Sequence, residues 1–271
     1  MSDQRNSAPE AGRARNLRVR PTALIGFAVA IGYVALFTVL ELIMKVPYTQ
    51  IGTTTDSVVR GIVIPMVVTT AVMAVLTSVL GWWRPVMREK PLGVKWLWAI
   101  PAILMVMVLA GINYTQLGAL GLPFLGALAL GTAMVGFNEE ITYRGVALVG
   151  FRGQYKEVWA WFLTSLLFGL LHGANLVLGQ SLALTIRQVV IAFVMGSIFY
   201  VARRVTGSLL FMMVIHALWD FGSFTVQGGY AATGHQVLTP TAIATLPLLL
   251  VMIVMGGIGW KKLFGKPAEY V

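Results

Sequence analysis

The sequence predicts an all-α protein: a polytopic transmembrane helical bundle of about eight spans, with N-terminus and C-terminus cytoplasmic. Three observations carry this. The chain is 58% hydrophobic and only 11% charged, whereas soluble domains run nearer a quarter charged. Apolar runs of about 20 residues, the length a helix needs to cross hydrocarbon, recur along it. Basic residues collect in alternate connections, the mark of cytoplasmic loops.

The spans fall at 22–44, 58–80, 96–113, 119–138, 158–178, 186–202, 207–225 and 241–260. Residues 1–21 are polar and basic and read as a disordered cytoplasmic tail; 22–262 form one transmembrane domain, and 263–271 a short cytoplasmic tail. The run from residue 22 is too long for a signal-peptide core and shows no convincing cleavage site, so it reads as an uncleaved first span. The stretch 139–150 continues as helix beyond the fourth span. With the N-terminus inside, the inner segments are 1–21, 81–95, 139–157, 203–206 and 261–271. They hold all of the 20 Lys and Arg residues except Lys45, Arg60 and Arg187. Trp82, Trp83, Trp96, Trp98, Trp159 and Trp161 fall near inner span ends, where indole rings anchor at the interface. Pro65, Pro101 and Pro247 lie inside spans, where they can kink a helix.

Several function classes drop out. The net charge of +10 is explained by loop orientation, and no basic stripe with interleaved aromatics points to nucleic acid. The absence of cysteine excludes disulfides, thiolate metal sites and a cysteine nucleophile. With every loop short, any chemistry belongs to the helices. The partners expected are the lipid bilayer and a peptide or protein substrate; oligomeric state is not legible.

Charges inside hydrocarbon cost about 2.5–3.5 kcal/mol each on insertion scales, so they default to functional hypotheses. Glu41 and Arg187 sit near outer ends, where long side chains can snorkel. His235 lies in the last outer loop. Three clusters remain. In Asn138-Glu139-Glu140-Ile141-Thr142-Tyr143-Arg144, the pattern EExxxR, Glu140 and Arg144 share a helix face and can pair, while Glu139 points about 100° away. In Phe168-Gly169-Leu170-Leu171-His172-Gly173, the pattern FxxxH, a GxxxG on the neighbouring face permits close helix approach. In His216-Ala217-Leu218-Trp219-Asp220, the pattern HxxxD, both polar groups are one turn apart. Each cluster alone is also explained by a structural pair or a carbonyl-bonded histidine. Together they suggest a buried hydrophilic pocket. Glutamate and histidine are common general acids and bases, and with no nucleophilic Ser or Cys the set suggests hydrolysis by activated water.

The ordered set EExxxR, FxxxH and HxxxD on successive membrane helices resembles the CAAX protease and bacteriocin-processing family, the Abi-type intramembrane proteases, which include the type II CAAX prenyl endopeptidases. The resemblance covers about 119–225. It implies an intramembrane endopeptidase acting on membrane-associated or prenylated, CAAX-like substrates. Carried over by position, Glu139 and His172 activate the water, Glu140 and Arg144 support the site as an ion pair, and His216 and Asp220 polarise the scissile carbonyl or stabilise the oxyanion. Asp220 stands where many members have asparagine, which puts its oxyanion role in question. No obligate cofactor is expected; a divalent metal such as zinc is the alternative, with Glu139, His172, His216 and Asp220 as its mixed N/O ligands. The site is expected to open toward the cytoplasmic side. If the chain is bacterial, the plasma (inner) membrane is its expected location. Two other classes stay open: a non-enzymatic immunity or chaperone-like partner of another membrane protein, and an ion-coupled transporter, although no inverted repeat appears.

One difficulty is geometric. The drawn spans leave Glu139 near the inner surface and His172 about 20 Å along its helix from residue 158, at 1.5 Å per residue. The two meet only if the fourth helix dips deeper than drawn, or the fifth starts later or tilts.

Overall fold

A computed structural model describes residues 17–265 and 268–270. Among these, eight helices are long and apolar enough to cross a membrane: α1 (Ala23–Met44), α2 (Thr55–Leu80), α3 (Lys95–Leu120), α4 (Leu122–Arg152), α5 (Glu157–Leu176), α6 (Leu182–Thr206), α7 (Leu209–Thr233) and α8 (Pro240–Ile258). The protein is a multi-pass, all-α integral membrane protein. An even number of crossings places both ends of the described chain at one pole of the bundle. The opposite pole holds the connections 45–54, 177–181 and 234–239.

The helices begin and end on local chemistry. Thr22, Ser181, Ser208 and Thr239 cap α1, α6, α7 and α8, each side chain accepting from a backbone N–H of the first turn. Gly207 and Gly234 end α6 and α7 in the left-handed region that glycine adopts without strain. Pro65 lies just after a π-helical turn at Val59–Val63. Proline offers no N–H to the preceding turn and crowds its carbonyl, and the wider turn accommodates both effects.

Of residues 1–21, residues 1–16 lie outside the described residues, and 17–21 pack on the bundle. Val19 N–H donates to the Leu80 carbonyl, and the Trp82 indole N–H donates to the Val19 carbonyl. Trp82 is therefore fully buried rather than an interface anchor, whereas Trp96, Trp98 and Trp159 are about half exposed. At the other end, Tyr270 bridges back to Glu89.

α4 resolves the geometric difficulty. It runs 31 residues, because 139–152 continues the helix inside the bundle, through a π-helical stretch at Ile141–Ala147. Glu139 then lies about 20 Å, at 1.5 Å per residue, from the α4 end at Arg152. His172 lies a similar distance from the α5 start at Glu157, so the two residues share a depth.

α4 and α7 cross closely at Gly136. A Cβ there would stand 2.4 Å from the Met213 carbonyl oxygen and 2.9 Å from the Ala217 nitrogen, both backbone atoms of α7. Gly169 gives α5 a like approach to α6, with the Val189 carbonyl at 2.9 Å, while Gly173 has nothing within 4 Å. The GxxxG therefore acts through its first glycine. Gly136→Ala is expected to push α7 off α4, destabilise the protein by about 1–3 kcal/mol as overpacked sites do, and lower the melting temperature in detergent. Gly126→Ala on the same helix, where a Cβ meets nothing within 4 Å, should not.

Candidate active site

α4, α5 and α7 bring the three motifs to one place. Glu140 is the junction: its Oε1 accepts from Arg144 Nη1 at 2.9 Å and from His216 Nδ1 at 2.9 Å. Glu140 and Arg144 are sealed from solvent, at 0% and 1% side-chain exposure. The guanidinium also packs against an aromatic wall, with Cζ 3.8 Å from the Phe168 ring centroid and 5.5 Å from that of Phe199. A cation over a ring face is attracted by the ring quadrupole, more strongly where water is absent. Gly196 makes the room, since a Cβ there would stand 2.8 Å from Arg144 Nη2.

This support fixes the first histidine. A carboxylate accepts hydrogen bonds and donates none, so His216 Nδ1 carries the proton and Nε2 turns to the other side of the ring. There it meets two further carboxylates, Glu139 Oε2 at 3.6 Å and Asp220 Oδ2 at 3.7 Å. The rings of Phe168 and Phe199 stand edge-on to the imidazole at 5.8 and 5.6 Å and hold its plane.

His172 is oriented independently. Its Nδ1 lies 3.1 Å from the Phe168 carbonyl oxygen. A carbonyl only accepts, so Nδ1 is again the protonated nitrogen and Nε2 carries the lone pair. The FxxxH spacing thus has a physical content: the backbone of Phe168 sets the tautomer of His172 while its ring packs on Arg144.

Glu139, His172 and Asp220 line one cavity of about 130 Å³. Side-chain exposure grades outward from the support to the cavity: His216 8%, Glu139 12%, Asp220 23%. Glu139 Oε2 is buried and makes no hydrogen bond among the described residues. The cavity continues to Tyr48, Ile51, Asn175 and Gln188, at the pole away from both termini. With the orientation that the basic residues predict, that is the external side, opposite to the cytoplasmic opening expected from sequence.

All six residues singled out by motif are therefore brought together. Several supporting residues carry no sequence signal of their own. Gly136, Gly196 and Phe199 look like ordinary span residues. Asn138 adjoins the motif and ties α4 to α2, its Nδ2 donating to Thr70 Oγ1 at 2.8 Å and to the Met66 carbonyl at 3.2 Å. Glu41 does not snorkel: it is 1% exposed and neither oxygen makes a hydrogen bond among the described residues. Arg187 and His235 are exposed, as expected.

A metal held by Glu139, His172, His216 and Asp220 would need their donor atoms about 2.0–2.2 Å from one point. Among the described residues, no three His, Asp or Glu side chains are gathered as a ligand group. His216 Nε2 nevertheless lies 3.6 Å from Glu139 Oε2 and 3.7 Å from Asp220 Oδ2, and the chemistry below is derived for the side chains alone.

No curated protein and no solved structure matches the chain. A protein-family model does, over residues 120–222, a segment that contains every residue of the polar cluster; it is described as Type II CAAX prenyl endopeptidase Rce1-like. Over those residues the chain matches the CAAX-type intramembrane proteases, the family that its three motifs resemble.

Proposed function

We propose that the protein is an intramembrane endopeptidase that hydrolyses peptide bonds with a water activated by Glu139 and His172. The observation that carries this reading is the cavity on which Glu139, His172 and Asp220 converge, with Glu139 set between it and His216, whose Nε2 lies 3.6 Å from Glu139 Oε2. A general base must lie within hydrogen-bond reach of the proton that it takes, and the Glu139 carboxylate lines the cavity in which the water would sit.

The steps follow from the proton positions. Glu139 takes one proton from water as the oxygen adds to the carbonyl carbon. His172 Nε2, with its lone pair free, accepts the water's other hydrogen as a hydrogen bond and aims the nucleophile. The tetrahedral oxyanion forms beside His216 and Asp220. The proton held by Glu139 then passes to the amide nitrogen as the C–N bond breaks, leaving an amine and a carboxylic acid, which gives up the remaining water proton to His172 Nε2 or solvent to become the carboxylate. Glu140 and Arg144 take no part in bond changes. They hold His216 in one tautomer, and their mutual neutralisation makes the buried support affordable in lipid.

The substrates are membrane-associated peptide segments, in an inner membrane if the chain is bacterial. The cavity reaches the pole opposite the termini, so the segment presented there is the one cleaved. Prenylated, CAAX-like tails fit if they reach that pole.

Purified protein should cleave a quenched-fluorescence peptide panel, while Glu139→Ala and His172→Ala lose cleavage yet insert and melt like wild type. Full activity in both variants would sink the reading, whereas no cleavage by any sample would move weight to a non-enzymatic partner role. A strong chelator added to wild type is expected to leave the rate unchanged; loss restored by zinc would give the four cavity residues a metal. Arg144→Met leaves Glu140 a buried, uncompensated charge and should cost about 3–5 kcal/mol; Arg144→Met with Glu140→Gln should recover much of this in thermal melts without recovering full activity. Finally, right-side-out vesicles should cleave an added membrane-impermeant peptide and inside-out vesicles should not; the reverse would place the cavity mouth at the cytoplasm.

A further inference from the structure

The reaction above asks for a hydrogen-bond donor to the oxyanion, and the third motif does not supply one unaided. Asp220 occupies the position where the resembled family often has asparagine, and an ionised aspartate only accepts. The other wall of the same cavity carries two side-chain amides, Asn175 and Gln188, together with the hydroxyl of Tyr48.

Local structure places Asn175. The chain from His172 to Leu176 is a 3₁₀ turn, with three residues per turn, so side chains three apart eclipse. Asn175 therefore follows His172 into the cavity. It is buried, 7% exposed. Its Nδ2 donates to Gln188 Oε1 at 3.0 Å, and Gln188 Nε2 donates to the Tyr48 hydroxyl at 3.0 Å. Tyr48 is itself held, its backbone N–H donating to the Leu178 carbonyl at 3.1 Å. The Tyr48 hydroxyl also donates to Gln188 Oε1 at 3.3 Å, so both ends of the Gln188 amide are engaged. One Nδ2 hydrogen goes to Gln188, and the second is left for the cavity.

A space of about 130 Å³ is only a few water volumes. Asn175 lines the same space as Glu139 and His172, so a carbonyl held against those two shares it with the Asn175 amide. Preorganised amide donors aimed at a developing oxyanion in a water-poor site are worth far more than in water.

We propose that Asn175 donates a hydrogen bond to the oxyanion of the tetrahedral intermediate, held in place by Gln188 and Tyr48, and so supplies the donor that position 220 lacks. The inference rests on the protease reading above. In the hydrolytic step the water oxygen bonds to the carbonyl carbon, the C=O π pair moves onto oxygen, and the Asn175 N–H meets that charge. The pair returns as the C–N bond breaks.

The test is steady-state cleavage of the best peptide from the panel by wild type, Asn175→Ala, Asp220→Asn, the double variant and Glu139→Gln, each checked by thermal melt. Asn175→Ala should lower kcat roughly 100-fold, as removal of one oxyanion donor does, with little change in KM. In the Asp220→Asn background, which restores an amide at that position, the same substitution should cost far less. If Asn175→Ala does not fold, Asn175→Asp removes the donor at constant shape and is judged the same way. A kcat close to wild type, a loss confined to KM, or an equal loss in both backgrounds overturns the proposal. Glu139→Gln separates the failures. Full activity there brings down the protease reading and this inference with it, whereas a dead Glu139→Gln beside a fully active Asn175 variant removes this inference alone.

Discussion

The bond pair from Arg144 and His216 onto one Glu140 oxygen is the interaction from which the site descends. A guanidinium and a carboxylate inside hydrocarbon are each expensive alone. Together, and with Phe168 and Phe199 against the cation, they form a neutral buried block. That block requires α4 to continue as helix past Glu140, since Arg144 is one turn further on. It requires Gly196 on α6, because a side chain there would occupy the place of the guanidinium. It requires Gly136, because only a bare backbone lets α7 come near enough for His216 to reach Glu140. The helix crossings are thus consequences of satisfying one charge pair.

The same junction separates two neighbouring glutamates into different roles. Glu139 and Glu140 are adjacent in sequence and about 100° apart on the helix. Glu140 is fully covered and bonded twice; Glu139 lines the cavity, with one oxygen 3.6 Å from His216 Nε2. Two carboxylates given different surroundings by one helix is the pattern by which a site divides structural from reactive duty. The histidines divide similarly. His216 is oriented by a carboxylate and His172 by a backbone carbonyl; His216 Nε2 is turned to Glu139 and Asp220, and His172 lines the cavity.

Much of this was legible in the sequence. The eight apolar runs, the three motifs and the i,i+4 pairing of Glu140 with Arg144 follow from composition and helix period alone. What was not legible depends on contacts between distant segments. Hydropathy ends the fourth span at residue 138 because it scores Glu139, Glu140 and Arg144 as loop residues, whereas pairing of Glu140 with Arg144 offsets their cost. Glu41 was set aside as a snorkelling residue, yet packing covers it. Asn175 and Gln188 are 13 residues apart and carry no motif; only the 3₁₀ turn after His172 and the start of α6 bring them to the same wall. A glycine at a helix crossing reads the same as a glycine facing lipid, as Gly136 and Gly126 show.

The pole opposite the cavity explains why the site has one polar direction. There Glu89, Arg152, Glu157, Arg203 and Arg204 form a second buried ion cluster. Arg152 Nη1 lies 2.6 Å from Glu89 Oε2, Arg203 Nε 3.4 Å from the same oxygen, and Arg204 Nη1 3.5 Å from Glu157 Oε1. It joins the loop after α2 to the ends of α4, α5 and α6, and so closes the bundle at the terminal pole. It also bears on the charge count behind the orientation. Arg152, Arg203 and Arg204 were counted as loop charges, but they are internal counter-ions and cannot report on a lipid surface. Among the described residues, the exposed basic residues at that pole are Arg18, Arg20, Arg84, Arg88, Lys90, Lys95, Lys156, Lys261 and Lys262, against Lys45, Arg60 and Arg187 at the other. The bias survives with the buried arginines removed. The exposed bases and the closed ion cluster therefore lie at one pole, and the mouth of the cavity, with its amide and hydroxyl rim, lies at the other.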